Sequence, residues 1–173
     1  METYNRDILR HVALGEFALH HCLAGASIHG LSHWNRVNNY GMALAKLTEG
    51  VDIEVVQAFA LVHDCCRHND GSDYDHGVRA ASWMDVHRND ALAFLTDEQY
   101  NKLRLAVGGH VDGRVTDDPT IGVCWDADRL DIGRVGSPVN PNLLSTQAAK
   151  DWVAGWERFS RMAEKLHEME KNG

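Results

Sequence analysis

Apolar residues return every three to four positions along most of this chain, the period of helices with one buried face. Val37, Tyr40, Gly41, Leu44 and Leu47 show that spacing most cleanly. Ile8, Leu9, Val12, Leu19 and Leu23 predict a helix before them. Val55, Val56, Phe59, Ala60 and His63 predict one after them, capped by Asp52. The polar, glycine-containing stretch from Arg67 to Asp75 predicts a loop, followed by a helix from about Asp75 to His87. Thr96-Asp-Glu-Gln99 has the form of a capping box, ahead of a face made by Tyr100, Leu103, Val107 and His110. Ile121, Cys124, Trp125 and Asp128 share a face of a sixth helix, and Gly133 to Pro141 predicts a loop. Trp152, Trp156, Phe159, Ala163 and Leu166 mark a long amphipathic last helix, and most of the tryptophans are expected in the core. Proline is confined to positions 119, 138 and 141, and no strand-like alternation survives. The expected fold class is therefore all-α, a compact helical bundle formed by residues 1–173 as a single domain.

Composition narrows the function classes. The chain has 173 residues, 44% hydrophobic and 24% charged, near the average of soluble globular domains. No apolar run approaches the ~20 residues of a membrane span, and the polar start METYNRDILRHV does not read as a signal peptide. A cytoplasmic protein without a membrane partner is the expectation. The net charge of −8 and the lack of a Lys/Arg run argue against a long nucleic-acid partner. A small anionic substrate stays compatible with that charge if a bound metal supplies positive charge. Cys22, Cys65, Cys66 and Cys124 show no CxxC spacing and are expected as reduced thiols.

Histidine changes the picture. The chain holds 11 His, and His and Asp are the usual ligands of hard-to-borderline metals when Cys is not used. His63 and Asp64 close the third predicted helix, His110 continues the apolar stripe of the fifth, and Asp128 faces inward with Trp125 and Cys124. A buried carboxylate without a partner costs several kcal/mol. One inward His is ordinarily a hydrogen-bonded core residue. Several inward His and two inward Asp from different helices are better explained by a shared cation, which keeps the carboxylates ionised and the imidazoles neutral.

The adjacent pair His63-Asp64, preceded by Phe-Ala-Leu-Val, resembles the signature of the HD superfamily of metal-dependent phosphohydrolases. His33 in His-Trp-Asn-Arg-Val, with Arg36 three residues on, is similar to the family's first helix-borne histidine. Asp128 in Asp-Ala-Asp-Arg-Leu-Asp is similar to its final aspartate. His76 in His-Gly-Val-Arg-Ala-Ala and His110 in Val-Gly-Gly-His-Val resemble the further histidines of members that hold two metals. The resemblance runs from His33 to about Gly136. It implies an HD-type fold and the metal-ligand set His33, His63, Asp64, His76, His110 and Asp128, with Asp64 bridging two ions. A single-ion site with His76 and His110 on substrate is the alternative. Asp131 shares part of the Asp128 face and supports the ligands from behind, whereas Asp126 is expected to cap or to face solvent.

The activity so implied is hydrolysis of a nucleotide or other small phosphate ester by metal-activated water. Asp64 relays the proton, and Arg36 and Arg129 neutralise the developing charge, with Arg67 and Arg79 as further candidates. The cofactors that the resemblance implies are divalent ions, two per chain, with Mn, Fe, Co, Ni, Zn and Mg not distinguishable. Two alternatives share the ligands: a di-iron oxygenase of the HD fold, and a non-catalytic metal-stabilised regulatory or binding module. His29 is a candidate substrate contact and His68 a rival to His76. The oligomeric state is left open, a homo-oligomer included.

Overall fold

The computed structural model describes residues 2–20 and 28–172, with side chains from Arg10 onward except at 159, 160 and beyond Met162. Among the described residues there are seven α-helices and no strand. They are α1 (Glu2–Leu19), α2 (Leu31–Ala45), α3 (Ile53–Val62), α4 (His76–Val86), α5 (Asp97–Gly109), α6 (Pro119–Leu130) and α7 (Gln147–Asn172). Short 3-10 turns follow α5 (His110–Asp112) and α6 (Asp131–Val135), and a third (Pro141–Leu143) precedes α7. No helix is long and apolar enough to cross a membrane among the described residues.

Helix α6 is the axis of the bundle. Every residue from Thr120 to Ala127 is buried, and the helix packs against α2, α3, α5 and α7. Its start is fixed by Asp118, which accepts hydrogen bonds from the Thr120 and Ile121 amides at 2.9 Å, with Pro119 in the first turn. Helices α2 and α3 approach closely at Gly41, where an added Cβ would lie 2.6 Å from Val56 Cγ1. Asp52 caps α3 through the Glu54 and Val55 amides, and it also accepts from Gln99 Nε2. The capping box is present as expected: Thr96 Oγ1 accepts from the Gln99 amide, and Gln99 Oε1 accepts from the Thr96 amide.

Several expectations need correction. Helix α2 stops at Ala45, and Leu47 lies 68% exposed instead of extending the apolar face. In α1 the buried positions are Leu14, Gly15 and Ala18, while Val12 and Leu19 are exposed. The side chains of Ile8 and Leu9, and all of Cys22 and Leu23, lie outside the described residues. Trp34, Trp83 and Trp125 are in the core, but Trp152 and Trp156 are 42% and 66% exposed on α7. The side chains of Phe159, Ala163 and Leu166 are outside the described set. Asp126 neither faces solvent nor caps its own helix. It is fully buried and accepts from the Ser145 and Thr146 amides and the Thr146 hydroxyl, which anchors the chain just before α7. Burial raises its pKa against these hydrogen bonds. Cys65, Cys66 and Cys124 are in no disulfide.

Candidate metal centre

Six side chains from α2, α4, α6 and the ends of α3 and α5 meet in the interior: His33, His63, Asp64, His76, His110 and Asp128. His33, His63, His76 and His110 are all buried, none more than 6% exposed. A Cβ at Gly77 would lie 2.8 Å from the Val107 carbonyl and 3.1 Å from the His110 ring, so glycine there lets α4 carry His76 against α5.

The hydrogen-bond bookkeeping of the imidazoles decides what the centre can hold. His63 Nδ1 lies 3.1 Å from the Phe59 carbonyl, His110 Nδ1 lies 2.7 Å from the Val107 carbonyl, and His76 Nδ1 meets the Asp73 carbonyl. A carbonyl only accepts, so each Nδ1 must carry the proton and donate it. His33 Nδ1 donates in the same way to Asp131 Oδ2 at 2.7 Å. Each neutral ring is then left with a lone pair at Nε2, and all four Nε2 atoms point inward. His33 and His63 bring theirs to 3.1 Å, and His76 and His110 to 2.8 Å. Two lone pairs at that distance repel unless a proton or a cation lies between them.

The carboxylates complete two clusters. Asp128 Oδ1 lies 3.2 Å from His33 Nε2 and 3.8 Å from His63 Nε2, and Asp64 Oδ2 lies 3.5 and 3.6 Å from the same atoms. On the other side Asp64 Oδ1 lies 2.9 Å from His76 Nε2 and 3.7 Å from His110 Nε2. Neighbouring donors around one ion at ordinary bond lengths are separated by about 3.0–3.4 Å. The separations in the two clusters, 2.8–3.8 Å, straddle that spacing, and Asp64 gives one oxygen to each. These are buried groups that could hold a metal ion.

The electrostatics keep the two carboxylates ionised. Burial works to raise Asp64, but the imidazoles of His63, His110, His29 and His76, in their protonated forms, hold it well below the usual carboxylate range. Asp128 is likewise drawn down by His33, His63 and His110 against the effect of burial. Burial pushes His63 down to about 4 despite the two carboxylates. At His33 and His110 burial is outweighed by Asp128 and Asp64, and both pKa values are raised. Those two rings therefore take up a proton readily when no ion is bound, and an ion that binds must displace it.

Behind the ligands stands a polar support. Asp131 accepts from His33 through one oxygen and from Arg36 Nε through the other, both at 2.7 Å. The expectation that Asp131 stands behind the ligands matches this arrangement. Arg36 thus holds Asp131, and it is not among the residues that line the cavity. Arg129 does line it: Nη1 donates to the Leu143 carbonyl, while Nη2 is buried with no hydrogen-bond partner. Burial lowers the Arg129 pKa against the pull of Asp126 and Asp128. Arg79 is turned away onto Asp73, which its guanidinium holds down to about 2. His68 lies on the exposed loop with its amide on Asp73 and takes no place in the cluster.

Two residues carry more than their sequence positions announced. His29 Nδ1 lies 2.9 Å from Asp64 Oδ2 and 3.0 Å from Arg134 Nη2. Arg134 also donates to the Ile28 and Asp131 carbonyls, tying the entry of α2 to the turn after α6. Arg134 follows Asp131 by three residues, but its contact lies 105 residues upstream, and no local pattern signals that pairing.

Above the clusters opens a cavity of about 470 Å³, lined by Arg67, Arg129 and Arg134 together with aliphatic residues such as Ile28, Val111 and Leu143. A concave site with a few convergent polar groups suits a small ligand. A larger cavity, about 560 Å³, lies between Trp152 and Trp156 of α7, Tyr40 and Pro138, away from the histidines. Comparison of the chain with protein-family models, with curated proteins and with solved structures returned no match.

Proposed function

We propose that this chain is an HD-type metal-dependent phosphohydrolase that acts on a small phosphate ester, a nucleotide or another. The observation that supports the reading best is the set of four Nε2 lone pairs turned onto Asp64 and Asp128, which divalent cations, one to each cluster, would satisfy. Divalent ions bound there supply an activated water and neutralise phosphoryl charge.

The chain's own residues provide the rest. Asp64 divides its oxygens between the clusters, the pattern of a bridging carboxylate. Asp131 and three main-chain carbonyls fix the imidazole tautomers, so the donor atoms are set before any ion arrives. Arg129, Arg134 and Arg67 stand at the cavity wall, where guanidinium groups can meet an anionic oxygen. Asp64 also contacts His29, which stands at the cavity wall and would orient the carboxylate there.

The test is a panel of aryl phosphates, phosphodiesters and nucleotides with the manganese-loaded protein. Release of inorganic phosphate that falls to background in Asp64→Ala supports the reading. Oxygen uptake by iron-loaded protein without hydrolysis would move the assignment to the oxygenase, and neither activity would move it to a binding module.

A further inference from the structure

The two clusters are not electrically equal. The His33/His63 cluster has Asp128 and Asp64 within 3.2–3.8 Å of its Nε2 atoms, and Asp131 behind it. The His76/His110 cluster has a single shared oxygen, Asp64 Oδ1, and it also has a resident cation. The Arg67 side chain is 8% exposed, and its Nη1 lies 3.6 Å from Asp64 Oδ1. That same nitrogen is 3.3 Å from both Nδ1 and Nε2 of His76. Equal distances place it off the axis of the Nε2 lone pair, so the lone pair stays open to an ion. Arg67 is held there by its own loop, through Nε on the Asn69 carbonyl and Nη2 on the Gly71 carbonyl.

Charge counting over the whole centre points the same way. The carboxylates of Asp64, Asp70, Asp126, Asp128 and Asp131 face the guanidinium groups of Arg36, Arg67, Arg129 and Arg134, so the centre is within about one charge of neutral before any ion binds. A first divalent ion makes the centre positive. A second would enter an already positive cavity, next to a buried guanidinium, with fewer anionic donors. An oxyanion in the cavity relieves that excess, and the guanidinium groups of Arg67, Arg129 and Arg134 stand at the cavity wall to meet it.

We propose that Arg67 makes occupancy of the His76/His110 site conditional on an oxyanion: one ion binds unaided, and the second enters together with a phosphate group. This rests on the two-ion reading of the centre. The coupling is reciprocal, so the second ion tightens phosphate as much as phosphate tightens the ion.

The experiment is manganese binding to the metal-stripped full chain, read by equilibrium titration and by the spin-coupled resonance of a manganese pair, with and without inorganic phosphate. In the parent protein one ion binds tightly, and phosphate tightens the second by about tenfold or more. His110→Ala, which lacks a donor of the second site, shows no phosphate effect and so controls for manganese–phosphate association in solution. Arg67→Gln tightens the second ion without phosphate and flattens the phosphate effect, whereas Arg67→Lys, which keeps the charge, preserves it. Two equal ions in the parent, indifferent to phosphate and unchanged in Arg67→Gln, would overturn the inference and leave the two-ion centre intact. A parent that takes one ion under every condition would overturn both. Should Arg67→Gln fail to fold, the phosphate titration of the parent against His110→Ala decides alone.

Discussion

His76 and His110 face each other through Nε2 atoms 2.8 Å apart, although each ring has already spent its Nδ1 proton on a main-chain carbonyl. No neutral pair of rings is content in that arrangement. The main chain enforces it, through the Asp73 and Val107 carbonyls and the close approach at Gly77. The centre is one that could hold a cation, and each part of the arrangement can be tested.

Gly77→Ala is expected to separate the two rings. The new methyl would press on the Val107 carbonyl at 2.8 Å, backbone that cannot rotate away. Denaturant unfolding should show a loss of about 1–3 kcal/mol. Metal titration in the presence of phosphate should show the second ion weakened and the first retained.

Asp131→Ala removes the acceptor that fixes the His33 ring, and Arg36→Ala removes the residue that holds Asp131. The first change should weaken the His33/His63 ion about 10–100-fold, and the second less. Calorimetric titration with zinc checks both. Equal affinities in parent and Asp131→Ala would mean that packing alone orients His33.

Asp126→Ala should destabilise the protein without touching metal affinity. It leaves the Ser145 and Thr146 amides and the Thr146 hydroxyl without their acceptor in a buried place. The expected loss is about 1–3 kcal/mol by denaturant unfolding. This residue shows why part of the structure was not legible in the chain. Two positions before Asp128 in the same helix, it reads as a residue turned away from the ligands, which it is. Its partners come from about 20 residues further on, and helical phase carries no information about them.

The same limit separates the other successes from the failures. The Thr96–Gln99 box and the Asp52 cap are local chemistry, and both formed where the residues predicted. The convergence of inward His and Asp was legible because burying such groups is costly without a common partner. Leu47 kept the α2 period, but the helix had ended at Ala45, and the chain turns through Gly50 at a φ of 75°. Trp152 and Trp156 reported correctly that α7 is amphipathic, yet periodicity cannot say whether anything covers the face. The His29–Arg134 contact joins segments 105 residues apart, and only the folded chain brings it to the centre.

Away from the centre, Asp85 supplies a pH test. Arg104 and Tyr100 hold its carboxyl down to about 2, below the ordinary 3.8. A carboxyl depressed on folding contributes stability above its unfolded pKa and loses it as pH falls through the folded one. The contribution should therefore fade between about pH 4 and pH 2. The pair is exposed, so its worth is below about 1 kcal/mol. Carboxyl resonance titration should place Asp85 near 2 in the parent and move it toward 3.8 in Arg104→Ala.

The most direct test of the metal centre is anomalous scattering from crystals of the protein grown with manganese and inorganic phosphate. Two peaks about 3.5–4 Å apart are expected. One should be bound by Nε2 of His33 and His63 with Asp128 Oδ1 and Asp64 Oδ2, the other by Nε2 of His76 and His110 with Asp64 Oδ1. No peak among these atoms, or an ion held through Nδ1 with the carbonyl bonds broken, would contradict the account.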